Sequence, residues 1–440
     1  MRKISIRKIN ILSETEFPWR ALAVSILLIL LTPFINKWLV ILPIAIQIFR
    51  MLKYDEHVFI VDAVALLPFS SIFIIPNVGT ALGALVVLGD IWFLIKRRFL
   101  NLKEPLICLA CLAIYLLFRM QTEFTNYIFI VSGLLFMYIM LDRADASDAV
   151  WAAKAFVVGL LIASLYGLIF RGNYHIVSYI SNDVAASFEY QNVHRFSGIL
   201  ADSNYYSSYL IMGMAIILQL YIINEVSFSR YAVCEIMFSI FGFLTYSRTF
   251  FAMFIIVLVV TIYLLFKDKK YMVGGTLLIV VLITGYFALT GKLSAFEVIL
   301  SRFSSAKNLN QLTTGRSSLF VQYFKHIMES TGTALFGEGL GAGLLNKKGP
   351  HNLYIEIMYY VGIVGFILYS AYMLLLISMM KRKRKVRYSF KFSLLGLMAV
   401  GMLMIVYLSL QGMKSYSMYI QFFAALLMII LPNKYYAQES

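Results

Sequence analysis

"GEGLGAGLLNKKGPHNLYIEIMYYVGIVG" occupies residues 337–365. It runs from a loop of spaced glycines and two lysines, through a Pro-His-Asn corner at 350–352, into an apolar run. The glycines resemble a phosphate loop only superficially. A Walker A element needs G-x-x-x-x-G-K-[ST] between a strand and a helix, and "GAGLLNKKGP" at 341–350 does not supply it. A dinucleotide-binding fingerprint fails for the same lack of context. The run that begins at 353 has the length and apolarity of a membrane helix, so the stretch reads as a loop that delivers the chain into a bilayer.

The rest of the chain agrees. With 440 residues, 61% hydrophobic and 14% charged, it has too little polar surface to cover a soluble globule. Its apolar runs are roughly 15 to 25 residues long, enough to cross a hydrocarbon core about 30 Å thick, whereas barrel strands would be about 10 residues of alternating polarity. The expected fold class is therefore an all-α polytopic membrane protein of about 12–14 transmembrane helices, a single integral membrane domain over 1–440. The lower number applies if the runs interrupted by Pro43 and Pro68 do not span. "MRKISIRKIN" at 1–10 mimics the start of a signal peptide, but no small-residue cleavage site follows, so it is read as leading a retained first helix.

Orientation follows from the cations. With a cytoplasmic N-terminus, most of the 38 Lys and Arg residues fall inside, including Arg50, "KRR" at 96–98, "KDKK" at 267–270 and "KRKRKVR" at 381–387. The net charge of +16 is thus a topology signal, with anionic lipid as a partner and no nucleic acid. Both termini are expected in the cytoplasm of a bacterial cytoplasmic (inner) membrane, and two long segments on the outer face: 171–202 and 291–352. The second carries helical apolar spacing over 316–329 (Leu319, Phe320, Tyr323, Phe324, Ile327), which predicts a short helix on the membrane surface. Cys108 and Cys111 form a C-x-x-C inside "LICLACLAIYLL" (106–117), an apolar helix without the context of a redox or zinc motif.

In so apolar a chain the polar groups at the outer edge carry the information. "HRFSGILADSNYYSSYL" (194–210) offers Arg195, Asp202 and Asn204, with Asp202 equally suited to cap the following helix. "TYSRTFF" (245–251) puts Arg248 in a very short connection, facing either lipid headgroups or the mouth of the bundle. "TTGRSS" (313–318) places Arg316 ahead of the surface helix. At 100° per residue His351, Tyr354, Ile355, Met358, Gly362 and Gly365 share one stripe, expected to face the bundle with the glycines as packing points. Asn352 either caps that helix or orients the imidazole, and a structural histidine bonded to backbone stays open as the plainer reading. Tyr205, Tyr206 and Tyr354 are candidates for stacking on sugars, or for membrane anchors. "DRADASD" (142–148) falls on the cytoplasmic side and reads as a solvated loop, and no metal is expected.

These blocks resemble the O-antigen polymerase and ligase family. "HNLYIEIMYYVGIVG" (351–365) fits its H-N-x9-G-x-x-G signature, and "RFSGILADSN", "SRT", "GRSSLFVQYF" and "GEGLGAG" are similar to its weaker blocks in the same order, over about residues 190 to 370. The chain departs from that pattern at "DSN", where relatives often carry D-P-N. The resemblance implies an inverting, metal-independent glycosyltransferase without a cofactor, acting on undecaprenyl diphosphate-linked glycan donors and a glycan acceptor. It implies His351 as base, Arg248 and Arg316 as diphosphate ligands, and more loosely Arg195 with them, supported by Asn352, Asp202 and Asn204. Flippase and chain-length regulator proteins would be its partners. Physical chemistry points the same way: guanidinium forks bind phosphate oxygens without losing their charge, and an imidazole titrates near neutrality. The expected function is polymerisation of lipid-linked repeat units into O-antigen, capsular or exopolysaccharide. An O-antigen ligase transferring polymer to a lipid A core or other terminal acceptor, and a lipid-linked oligosaccharide flippase, remain as alternatives.

Overall fold

A computed structural model describes residues 18–75, 79–97, 103–171, 173, 195–200, 202–267, 269–271, 273–275, 313, 315–345, 348–384 and 390–433. Most of the apolar run 272–290, and, of the outer segments expected at 171–202 and 291–352, most of the first and residues 291–312 of the second, lie outside the described residues. The described helices in chain order are α1 Trp19–Ile35, α2 Ile41–Lys53, α3 Glu56–Leu66, α4 Ala81–Arg97, α5 Glu104–Arg119, α6 Phe124–Arg143, α7 Ala146–Ile169 and α8 Ser203–Ile222. They continue with α9 Phe228–Leu244, α10 Arg248–Lys267, α11 Arg316–Met328, α12 Thr331–Phe336, α13 Leu353–Lys383, α14 Phe390–Val406 and α15 Tyr416–Leu427. One antiparallel pair, Ile74–Ile75 with Gly79–Thr80, is the sheet content among the described residues.

Five helices, α6, α7, α8, α10 and α13, are long and apolar enough to cross a membrane. The runs expected to span at 38–52 and 58–75 give shorter helices, because Pro68 sits in a 3-10 turn that ends α3 and the chain then turns through the small hairpin. The outward faces of α9, α10 and α13 expose Ile236, Ile240, Val259, Ile367 and Leu374. Apolar exposure on that scale suits lipid and not water, consistent with an all-α membrane protein.

At the centre stands α8, buried on all sides between α7, α9, α10 and α14. Gly213 allows this, since a Cβ there would strike Leu160 and Phe238. An ion pair lies inside the bundle. Arg50 of α2 grips Asp62 of α3 through Nε to Oδ2 at 2.6 Å and Nη2 to Oδ1 at 2.8 Å, and donates its Nη1 to the Pro18 carbonyl at 2.7 Å. Both side chains are almost wholly buried. Arg50, expected from sequence as one of the cytoplasmic loop cations, is therefore an internal ion pair.

The last long helix is not the continuous rod the sequence suggests. Gly362 has φ 65° and ψ −173°, which kinks α13. The kink frees the carbonyls of Tyr359 and Tyr360, and these accept the amides of Glu338 (2.8 Å) and Gly339 (2.9 Å) from the glycine loop. Gly337 approaches the backbone at Val361 and Gly362 so closely that a Cβ has no room. The glycines of the opening stretch thus repair a broken helix. Of the expected packing pair, Gly365 meets Tyr115 of α5, while Gly362 makes the kink and receives the end of α12.

The buried pair carries a prediction. Asp62→Ala leaves the Arg50 guanidinium uncompensated and should cost about 3–5 kcal/mol, read as a lowered thermal transition of purified protein in detergent. The double change Arg50→Met with Asp62→Leu should regain most of that loss.

Candidate functional site

Four helix starts converge at one end of the bundle. At the first, Asp202 is the N-cap of α8: its Oδ1 accepts from Asn204 N (2.6 Å) and Tyr205 N (3.4 Å). Asn204 turns its own Oδ1 toward two donors, Arg195 Nη2 at 3.1 Å and Ser247 Oγ at 2.9 Å. Arg195 Nε also donates to the Thr245 carbonyl (3.0 Å), and Phe196 N to that of Leu244 (2.9 Å). The 195–204 block is thereby stapled to the α9–α10 connection. Arg195 serves that staple, a positioning role that its sequence grouping with the phosphate ligands does not anticipate.

In that connection Tyr246 has φ 49°, and Ser247 Oγ accepts the Phe250 amide at 3.3 Å, capping α10. Arg248 is the first residue of α10 and Thr249 the second. The Thr249 hydroxyl lies 3.2 Å from the Ser409 hydroxyl, and Arg316 Nη1 donates to the Ser409 carbonyl at 3.0 Å. Arg316 begins α11, launched from Gly315 at φ 83°. A helix is present over Arg316–Met328, where one was expected at 316–329, burying Tyr323 and Ile327 while Phe320 and Phe324 stack on each other, exposed.

His351 sits just ahead of α13, half-buried, with φ 46°. It is outside the helix, so it does not continue the α13 stripe read from the sequence. Its ring makes no hydrogen bond to any described residue. Burial and the charge of Arg316 hold its pKa below the ordinary 6.5, with Asp202 pulling the other way. Burial likewise lowers the Arg316 pKa from its ordinary value, with Asp202 and Tyr205 acting in the opposite direction. His351, Arg316 and Asp202 are thus within electrostatic reach of one another. A guanidinium stays charged under such a shift, whereas the imidazole is kept neutral.

The segment 407–415, between α14 and α15, joins these parts and was not weighed in the sequence. Asn352 caps α13, its Oδ1 accepting from Tyr354 N and Ile355 N, while its Nδ2 donates to Leu408 O at 3.0 Å. Leu353 N donates to Tyr407 O. Tyr205 Oη donates to Gln411 O, and Lys414 Nζ to Leu340 O at 2.9 Å. Glu356 Oε2 accepts the amides of Gly412 (2.7 Å) and Met413 (3.0 Å). The signal that could have found this segment is the polar break "SLQGMKS" (409–415) between two apolar runs.

The tyrosines divide. Tyr206 is fully buried with its hydroxyl on Ser164, so it cannot stack on a ligand. Tyr205 is committed to Gln411, and Tyr354, whose hydroxyl donates to Met404 O, remains half-exposed. The one cluster of possible metal ligands among the described residues is elsewhere: His57, Asp145 and Asp148, with ligand atoms within 4.8 Å of one another. Asp145 and Asp148 form the capping box of α7, and Asp148 Oδ2 lies 2.7 Å from His57 Nδ1. Of "DRADASD", read as a solvated loop, Asp148 is buried and structural.

The arrangement presents fixed positive charge beside a neutral imidazole, chemistry suited to an anionic ligand and a proton transfer. No protein-family model matches the chain, and no curated protein matches it.

Glu356→Leu should strip two buried amides of their acceptor, at about 1–3 kcal/mol each. The expected result is a lower thermal transition and new protease cleavage within 407–415, with Glu356→Gln, which keeps a carbonyl acceptor, much milder.

Proposed function

We propose that the protein is a membrane glycosyltransferase that elongates a polysaccharide from lipid diphosphate-linked repeat units at the outer face of a bacterial cytoplasmic membrane. The observation that carries this reading is the pairing of a guanidinium, Arg316, with a neutral histidine, His351, held to the same loop by separate helices. The resemblance of the 351–365 block to the O-antigen polymerase and ligase family supports it.

In this reading the acceptor sugar hydroxyl attacks the anomeric carbon of the donor as the bond from that carbon to the diphosphate breaks. His351 takes the hydroxyl proton, and the lipid diphosphate departs with the bonding electrons. Negative charge grows on the leaving oxygens, where Arg316 and Arg248 meet it; fixed donors stabilise such charge without reorganising. Attack from the side opposite the leaving group inverts the anomeric centre. Arg195 acts through Asn204 by holding the α9–α10 turn that presents Arg248.

The test is purified protein, reconstituted with synthetic undecaprenyl diphosphate-linked oligosaccharide and scored for new glycosidic bonds. His351→Asn suits the left-handed backbone and should fold, yet lose about 10²–10⁴-fold in rate with the base. Unchanged chain lengths from that variant would overturn the assignment. Arg316→Lys should not restore Arg316→Gln, because an ammonium lacks the bidentate fork.

The pH profile follows from the sign of the His351 shift. A pKa lowered from 6.5 leaves the base form in place across neutral pH, so kcat/KM should be flat there and fall only on acidification below 6.5. The acid limb should vanish in the residual activity of His351→Asn.

A further inference from the structure

A groove of about 580 Å³ opens between α7, α8 and α9. It lies at the other end of the bundle from the histidine and arginines, because α8 starts at the site with Asp202 and α9 returns to it at Thr245, whereas the groove takes the end of α8 and the start of α9. Its walls are apolar, Val158 of α7, Leu220 of α8 and Val233 of α9 among them. Its polar atoms gather at one rim: Lys154, Glu225, Ser229 and Arg230.

The rim is electrically lopsided. Lys154 Nζ is 2.8 Å from Glu225 Oε2, so those two charges offset each other. Arg230 is exposed and makes no hydrogen bond or ion pair with any described residue. One guanidinium therefore remains unbalanced at the mouth of an apolar slot.

Aromatic rings fix the depth of that mouth. Trp151 lies under Lys154, 5.3 Å from its ammonium, and meets Trp19 edge-on at 5.4 Å. Tyr221 stacks on Tyr231 at 4.8 Å and carries Lys270 at 3.7 Å over its face. Rings of this kind, interleaved with cations, gather at the headgroup level of a bilayer.

We infer that this groove binds one acidic phospholipid from the leaflet opposite the histidine and arginine site. An acyl chain lies along the walls, and the headgroup phosphate meets the Arg230 fork with the Ser229 hydroxyl beside it. The charge favours an anionic over a zwitterionic headgroup, because at the rim Glu225 is engaged by Lys154 while the Arg230 guanidinium is left to meet a phosphate. This inference rests on the membrane reading of the fold and is independent of the proposed transferase activity.

The test is native mass spectrometry of the full chain in detergent, titrated with phosphatidylglycerol and, separately, with phosphatidylcholine. One phosphatidylglycerol should be retained in preference. Arg230→Gln should weaken its retention about fivefold while leaving phosphatidylcholine unchanged, the worth of one interfacial cation. Val233→Trp should fill the slot and abolish the preference. Arg230 is exposed, so its replacement leaves the packing intact and that arm decides even if V233W fails to fold. Equal retention of both lipids by the unaltered protein, an unchanged R230Q, or displacement of the lipid by inorganic phosphate would each overturn the inference.

Discussion

A single carboxylate organises the end of the bundle where the candidate chemistry lies. Glu356, buried one turn inside α13, accepts two successive amides from the loop at Gly412 and Met413. A buried acid is expensive unless its lone pairs are used, and a loop held at membrane depth is expensive unless its amides are used. Each solves the other's problem. Once that clasp is closed, Ser409, Gln411 and Leu408 are fixed in space, and Arg316, Tyr205 and Asn352 each find a carbonyl on them. Elements distant in sequence are thus registered against one strip of backbone instead of against one another.

A second constraint works through backbone geometry. Tyr246 ahead of Arg248, Gly315 ahead of Arg316, and His351 itself all occupy the left-handed region. Such conformations are unfavourable for residues other than glycine and persist where the surroundings over-determine them. Here the surroundings are the caps: Ser247 for α10 and Asn352 for α13. At each of these positions a cationic or titratable side chain stands at or just ahead of a helix start instead of on a helix face.

How much of this was legible follows from the range of the forces involved. Helix content, the helix at Arg316 and the cap at Asp202 depend on composition and neighbours a few residues apart, and the sequence carries them. The kink at Gly362 was misread as packing because its cause, the insertion of the α12 end and the glycine loop, is tertiary. Arg50 looked like a loop cation because its partner Asp62 lies on the next helix, facing back. For the candidate site, the residue types stood out, but the strip that joins them did not. "SLQGMKS" (409–415) contributes mainly carbonyls and amides there, and backbone groups leave no signature in side-chain chemistry.

The central helix bears on how the chain assembles. Among the five long apolar helices α8 has the lowest mean hydropathy, 1.4, and the greatest burial, 94%, while α10 combines the highest, 2.8, with 33%. Ser203, Asn204, Ser207, Ser208 and Gln219 account for the difference, and all are buried. A segment of that kind partitions poorly into lipid by itself and is stabilised by neighbours that satisfy its hydroxyls and amides. During synthesis α7 is the only long partner already emerged, and α9, α10 and α14 arrive afterwards. The stable placement of α8 is therefore coupled to the packing of the helices that follow it in the chain, and so to the closure of the site.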